Sequence, residues 1–171
     1  MAVITAKFTR ERGRVKAGVR YIQHRAGRDG EKVTRELFGI DGVMERQQAY
    51  QLIDDAAKGI VFFHIVISPD PQKEDTAQDL HLAEITRQTM LTLEAQLKKE
   101  VPYVAAEHDD HTDHRHVHLF ALVQGRVNTK ALAVMRETAT QTALLQRQER
   151  DRQREQQQQR EGGGLALQRG V

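Results

Sequence analysis

Arg115-His116-Val117-His118-Leu119-Phe120-Ala121-Leu122-Val123-Gln124 is the stretch on which the fold turns. Alternate residues of a strand share a face. His114, His116, His118, Phe120 and Leu122 would then point one way, and Val117, Leu119, Ala121 and Val123 the other. One face carries imidazoles that run into apolar side chains; the other is apolar throughout. That pattern predicts a strand that helps build the core. Two imidazoles on one strand face can share a metal ion, and His108, on a neighbouring strand across a short connection, can reach the same point. The competing reading is a set of surface histidines in a polar loop. The apolar continuation from Leu119 to Val123 favours the strand.

Outward from this stretch, Val101 to Glu107 reads as a partner strand, joined through Asp109-Asp110-His111-Thr112-Asp113 as a hairpin or near-hairpin. The three aspartates are turn formers, or acceptors for the second N–H of metal-bound imidazoles. Ile60 to Ser68 is the most apolar run, too short and too β-branched for a helix, and predicts a central strand covered on both faces. Pro69 and Pro71 end it. Asp75 or Thr76 could cap a following helix that runs to Glu100.

Nearer the amino end, Ala2 to Phe8 reads as a strand. Val15, Val19, Ile22 and Ala26 recur at helical spacing until Gly27 and Asp29-Gly30 stop the pattern. Glu31 to Val43 is a loop or short strand, and Glu45 to Lys58 a helix. The predicted class is α+β, a central antiparallel sheet flanked by helices. Residues 1–145 form one domain. Residues 146–171 form a tail rich in Gln, Arg and Glu, a solvated helix or disordered, in which Gly162-Gly163-Gly164 breaks any helix.

The net charge of +2 hides two opposite segments. Met1 to Arg35 holds ten Lys/Arg against three Asp/Glu, whereas Pro69 to His118 holds five against eleven. The first suits a polyanion and the second a cation. Five of the eight histidines (His108, His111, His114, His116 and His118) fall within eleven residues. With no cysteine, thiolate metal sites and Cys nucleophiles are excluded, so any metal site rests on histidine. No apolar run is long enough to span a bilayer, which predicts a cytoplasmic protein without membrane insertion.

Tyrosine is scarce. Tyr50 and Tyr103 read as packing residues, whereas Tyr21 sits off the apolar stripe of its helix, in the most basic part of the chain. Spacing alone makes it a surface tyrosine. A hydroxyl of pKa about 10 becomes a useful nucleophile only when a base or cation assists it.

Taken together, Val19-Arg20-Tyr21-Ile22, His64-Ile65-Val66-Ile67-Ser68, and Glu107-His108 followed by Thr112-Asp113-His114-Arg115-His116-Val117-His118-Leu119 resemble, in order and spacing, three motifs of one family. It is the relaxases of mobilisable and conjugative plasmids, within the HUH endonucleases, and the resemblance covers roughly residues 1–125. It implies a metal-dependent, site-specific single-strand DNA endonuclease and transesterase. Tyr21 would form a 5′-phosphotyrosyl bond, and His108, His116 and His118 would hold Mg²⁺ or Mn²⁺. Asp113 or His114 would help activate the tyrosine or orient a ligand. Ser68 would lie near the DNA backbone, with Arg14, Lys16, Arg20, Arg25 and Arg28 as the basic contacts. The implied partners are single-stranded DNA at an origin-of-transfer nick site and accessory DNA-processing proteins. No Tyr follows the histidines, which excludes the arrangement with a downstream nucleophile. Two further readings remain: a non-catalytic DNA-binding module of the same fold, and a metal-dependent phosphodiesterase that uses water.

Overall fold

In the computed structural model, which describes residues 1–110 and 113–168, ten elements alternate along the chain. They are β1 (Val3–Thr9), α1 (Arg12–His24), β2 (Leu37–Gly39), β3 (Gly42–Met44), α2 (Arg46–Asp54), β4 (Val61–Ser68), α3 (Leu82–Leu97), β5 (Tyr103–His108), β6 (His116–Val123) and α4 (Thr129–Gln168). His111 and Thr112, both part of the predicted histidine motif, lie outside the described residues. The six strands form one antiparallel sheet in the order β1-β4-β6-β5-β2-β3. The α+β class is therefore as the sequence implies.

β4 lies inside the sheet, paired with β1 on one side and β6 on the other, as its continuous apolar run requires. The alternation read in β6 is real. Val117, Leu119, Ala121 and Val123 join Ile65, Ile67 and Tyr103 in a core under α3 and α4. Phe120 and Leu122 join Phe62 and Val104 in a second core under α1 and α2. The α1 stripe of Val15, Val19 and Ile22 is buried in that second core, whereas Ala26 lies beyond the helix end. The histidine face of β6 is thus the face that α1 covers.

Three expectations change. The stretch read as a loop or short strand from Glu31 to Val43 forms, with Met44, a two-strand hairpin of β2 and β3, and β2 pairs with β5 to extend the sheet. α3 starts at Leu82, not at a cap on Asp75 or Thr76. The Asp75 carboxylate accepts the Leu80 amide and faces the Arg115 guanidinium, which holds the preceding segment as turns. α4 runs through Gly162-Gly163-Gly164 to Gln168. A helix this long extends without a new nucleation step, and each glycine costs only about 1 kcal/mol relative to alanine.

α4 packs Ala131, Met135, Ala139 and Ala143 on the core. Its next turns are tied down by Arg147 and Arg154, both paired with Asp79. Among the described residues no helix is long and apolar enough to cross a membrane.

Candidate metal centre and nucleic-acid interface

β5 and β6 pair with His108 opposite His116 and Ala106 opposite His118, so strand register alone brings three imidazoles together. One ring nitrogen from each of His108, His116 and His118 lies within 4.8 Å of the others. Among the described residues this is the group able to hold a metal ion.

The other ring nitrogens decide which atoms face the centre. His108 Nε2 donates to the Ile22 carbonyl at 2.8 Å, which leaves its lone pair on Nδ1. His116 Nδ1 donates to the His114 carbonyl at 2.8 Å, which leaves Nε2. His118 Nδ1 lies 2.9 Å from His64 Nε2, and His118 Nε2 lies 3.0 Å from His116 Nε2. Two nitrogens bound at right angles about 2.1 Å from one ion would be about 3.0 Å apart. The donor set and its outer contacts fit a divalent cation. Orienting a metal-bound imidazole through its second nitrogen is the usual way such a site is held rigid.

The expected acceptors for those N–H groups included Asp109, Asp110 and Asp113. Their place is taken by the carbonyls of Ile22 and His114 and by the His64 ring. Asp113 instead faces Arg28 at 2.5 Å, and that guanidinium holds its carboxyl below the ordinary range. Asp110 faces Arg35 at 2.5 Å, and Asp109 is exposed.

Burial, reinforced by His108, His116, His64 and Arg25, pushes His118 down to about 3. Burial, and next Lys7, lowers His64. Both rings are therefore neutral near pH 7, the state in which an imidazole can ligate.

Tyr21 stands on the same side of the sheet as the histidines. Its neighbour Ile22 supplies the carbonyl that orients His108, and its own side chain is 56% exposed. It lines a groove of about 520 Å³ with Lys7, Arg14, Gly18, His64 and Phe120. Gly18, one turn earlier, sets the depth of the helix: a Cβ there would stand 2.4 Å from Phe120 Cζ. Phe120 stacks on His64 at 4.8 Å, and His64 reaches His118, so contacts run from α1 to the three-histidine cluster. Burial pushes the Tyr103 hydroxyl up to about 12 and sets that residue aside as a nucleophile.

The basic residues divide into two groups. Arg14, Arg20 and Arg25 surround Tyr21, with the Arg25 guanidinium 5.8 Å from the Tyr21 ring centre. Lys16 is paired with Asp54 at 2.8 Å, and Arg28 with Asp113. Ser68 closes β4 on the face that carries His64, half-buried and opposite Val3. His114 is exposed and enters the site through its backbone carbonyl.

Sequence reasoning missed Gly18, the Ile22 carbonyl and Arg35. For His64 a signal existed, a lone imidazole inside an apolar strand, but its partner was not legible. A family model described as "Relaxase: MobA/VirD2-like, nuclease domain" matches residues 21–157. No curated protein and no solved structure matches the chain.

Proposed function

The chain belongs to the MobA/VirD2-like relaxase nuclease domain family, and from that premise we propose that it is a site-specific, metal-dependent transesterase that nicks one DNA strand. Membership of a relaxase nuclease family supports DNA nicking; the choice of nucleophile, metal and DNA site is our reading. The observation that carries it is the location of Tyr21 on the helix whose next residue orients His108, beside a three-histidine centre.

The Tyr21 hydroxyl oxygen would attack the scissile phosphorus. A P–O bond to tyrosine forms, the P–O3′ bond breaks, and the leaving 3′ oxygen takes up a proton as the tyrosyl proton is lost. The product is a 5′-phosphotyrosyl adduct and a free 3′-hydroxyl. His108 Nδ1, His116 Nε2 and His118 Nε2 would hold the cation, which when bound supplies Lewis-acid withdrawal of charge from the non-bridging phosphate oxygens. Imidazole donors rank Mn²⁺ and later first-row ions above Mg²⁺. Arg14, Arg20 and Arg25 would neutralise flanking phosphates, with Lys16, Arg28 and Ser68 at the edges of the track. His114 orients His116 through its carbonyl, and Asp113 ties Arg28 to the histidine hairpin. Residues 1–145 would be the nicking unit and 146–171 a charged appendage. Accessory DNA-processing proteins would act beside it at a plasmid or mobile-element transfer origin, in the cytoplasm.

The test uses a pool of 3′-labelled single-stranded oligonucleotides that tile the DNA around the gene, incubated with purified protein and Mn²⁺. A label that survives denaturing electrophoresis on the protein, and is lost in Tyr21→Phe, is the expected result. An adduct formed by Tyr21→Phe refutes the assignment. Turnover of a model diester that ignores the substitution points to a water-using phosphodiesterase. Binding without any cleavage points to a non-catalytic module.

A further inference from the structure

Arg35 is nearly fully buried, and its two terminal nitrogens reach in different directions. Nη1 donates to the Arg25 carbonyl at 2.7 Å and lies 3.5 Å from the Ile22 carbonyl. Nη2 donates to Asp110 at 2.5 Å, two residues beyond His108. The backbone adds to the junction: the Arg35 amide donates to the Gln23 carbonyl at 2.9 Å, and the Arg28 amide to the Asp110 carbonyl at 3.0 Å. The Arg35 side chain thus bridges the end of α1 and the end of β5, beside the backbone bond from Arg28 to Asp110 and the His108 bond to Ile22.

We infer that Arg35 is a positioning residue, one that fixes the end of the Tyr21 helix in register with the strand that carries His108. The inference rests on the nicking reaction proposed above.

A helix leaves its last carbonyls without internal partners and concentrates partial negative charge there. In α1 those carbonyls include Ile22, already bound by His108, and Arg25 at the cap. The Asp110 carboxylate adds a full negative charge nearby. A cation between helix end and carboxylate is attracted to both, and a planar guanidinium can bond both at once. A lysine ammonium carries its three donors on one nitrogen at the end of a flexible stem and lacks the rigid fork that sets the two bonds in fixed directions.

Tyr21 lies between two anchors of α1. Gly18 against Phe120 fixes the helix on one side, and the junction at Ile22 and Arg25 fixes it on the other. Without the Arg35 side chain the first anchor, the His108 bond and the two backbone bonds persist, while the Arg25 carbonyl and Asp110 lose the group that bridges them and the last turn loosens. The histidines and the basic groove would be little changed, so binding and chemistry should separate.

The experiment compares wild type, Arg35→Gln and Arg35→Lys by four measurements. They are Mn²⁺ affinity by calorimetry, affinity for the oligonucleotide on which wild type forms its adduct, the single-turnover adduct rate, and amide exchange over residues 23–28. Both variants should bind Mn²⁺ and DNA within about threefold of wild type, form adduct roughly 10- to 100-fold more slowly, and exchange faster over 23–28. Arg35→Lys keeps a cation beside Asp110 and carries the test if Arg35→Gln does not fold. Adduct rates within threefold of wild type, or equal losses of Mn²⁺ affinity, DNA affinity and rate, would overturn the assignment. If wild type forms no adduct on any DNA, the nicking reading fails, and unchanged exchange over 23–28 then separately overturns the clamp.

Discussion

Acidifying the metal-free protein should destabilise it through His118, and the size of the effect follows from where that ring sits. His118 is pushed from an ordinary 6.5 down to about 3, first by burial and then by the three neighbouring imidazoles and Arg25. The folded pKa is the lower one, so the unfolded chain takes up a proton first as pH falls. Above 6.5 both states are neutral and no penalty exists; between 6.5 and about 3 stability declines; below about 3 the loss is complete. Each pH unit in that window costs about 1.4 kcal/mol, so moving from about pH 7.5 to about pH 5 costs roughly 2 kcal/mol at most. Partial exposure of the ring makes the real figure smaller. His64 shifts in the same direction and adds to it. Urea unfolding at both pH values reads the effect as a midpoint shift of up to about 1 M. His118→Gln keeps a polar side chain that cannot protonate, and its stability should fall less over the same interval. Equal pH slopes for wild type and His118→Gln would refute the reasoning.

Two other substitutions test the chain of contacts between α1 and the candidate metal centre. His64→Ala removes the partner of His118 Nδ1 and should weaken Mn²⁺ binding about 10- to 100-fold in a calorimetric titration; unchanged affinity would mean that the contact does not orient the ligand. Gly18→Ala should lower thermal stability by roughly 1 kcal/mol, because crowding of Phe120 (about 1–3 kcal/mol) outweighs the helix-propensity gain of about 1 kcal/mol. A rise in melting temperature would show that the Phe120 ring yields freely, despite its stacking on His64.

The strands were legible because their signals are local. β6 announces itself by alternation, and β4 by a β-branched and aromatic run between Gly59 and Pro69 that only His64 and the terminal Ser68 interrupt. The clustering of His108, His116 and His118 was legible for the same reason: two of the three share a strand face, and the third is close in sequence. What was not legible depends on tertiary approach. The carbonyl of Ile22 looks like any other in a sequence, and only docking of α1 on the sheet brings it to His108. Gly18 reads as an ordinary weak helix position until Phe120 is seen beneath it. The short β2–β3 hairpin has too few residues to show a period, and β2 is held by Ala105 and Ala106 of β5 across a long sequence separation. The helix through the three glycines was misread because a local breaker signal competes with propagation from the preceding turns.

The same docking changes what the charges mean. The acidic residues around the histidines read, one by one, as neighbours for a cation. Yet Asp110 is held by Arg35, Asp113 by Arg28, and Glu107 by Arg115 at 2.9 Å. Imidazole ligands bring no negative charge of their own, so a dication bound among the three would keep its charge undiminished for a phosphate. Arg14, Arg20 and Arg25 lie around Tyr21 with Lys7 across the groove, adding positive potential on the approach path. A site built this way would hold a cation by geometry more than by charge. Its affinity should therefore respond strongly to loss of one orienting contact and to protonation of one ring, which is why His64 and pH are the sensitive levers.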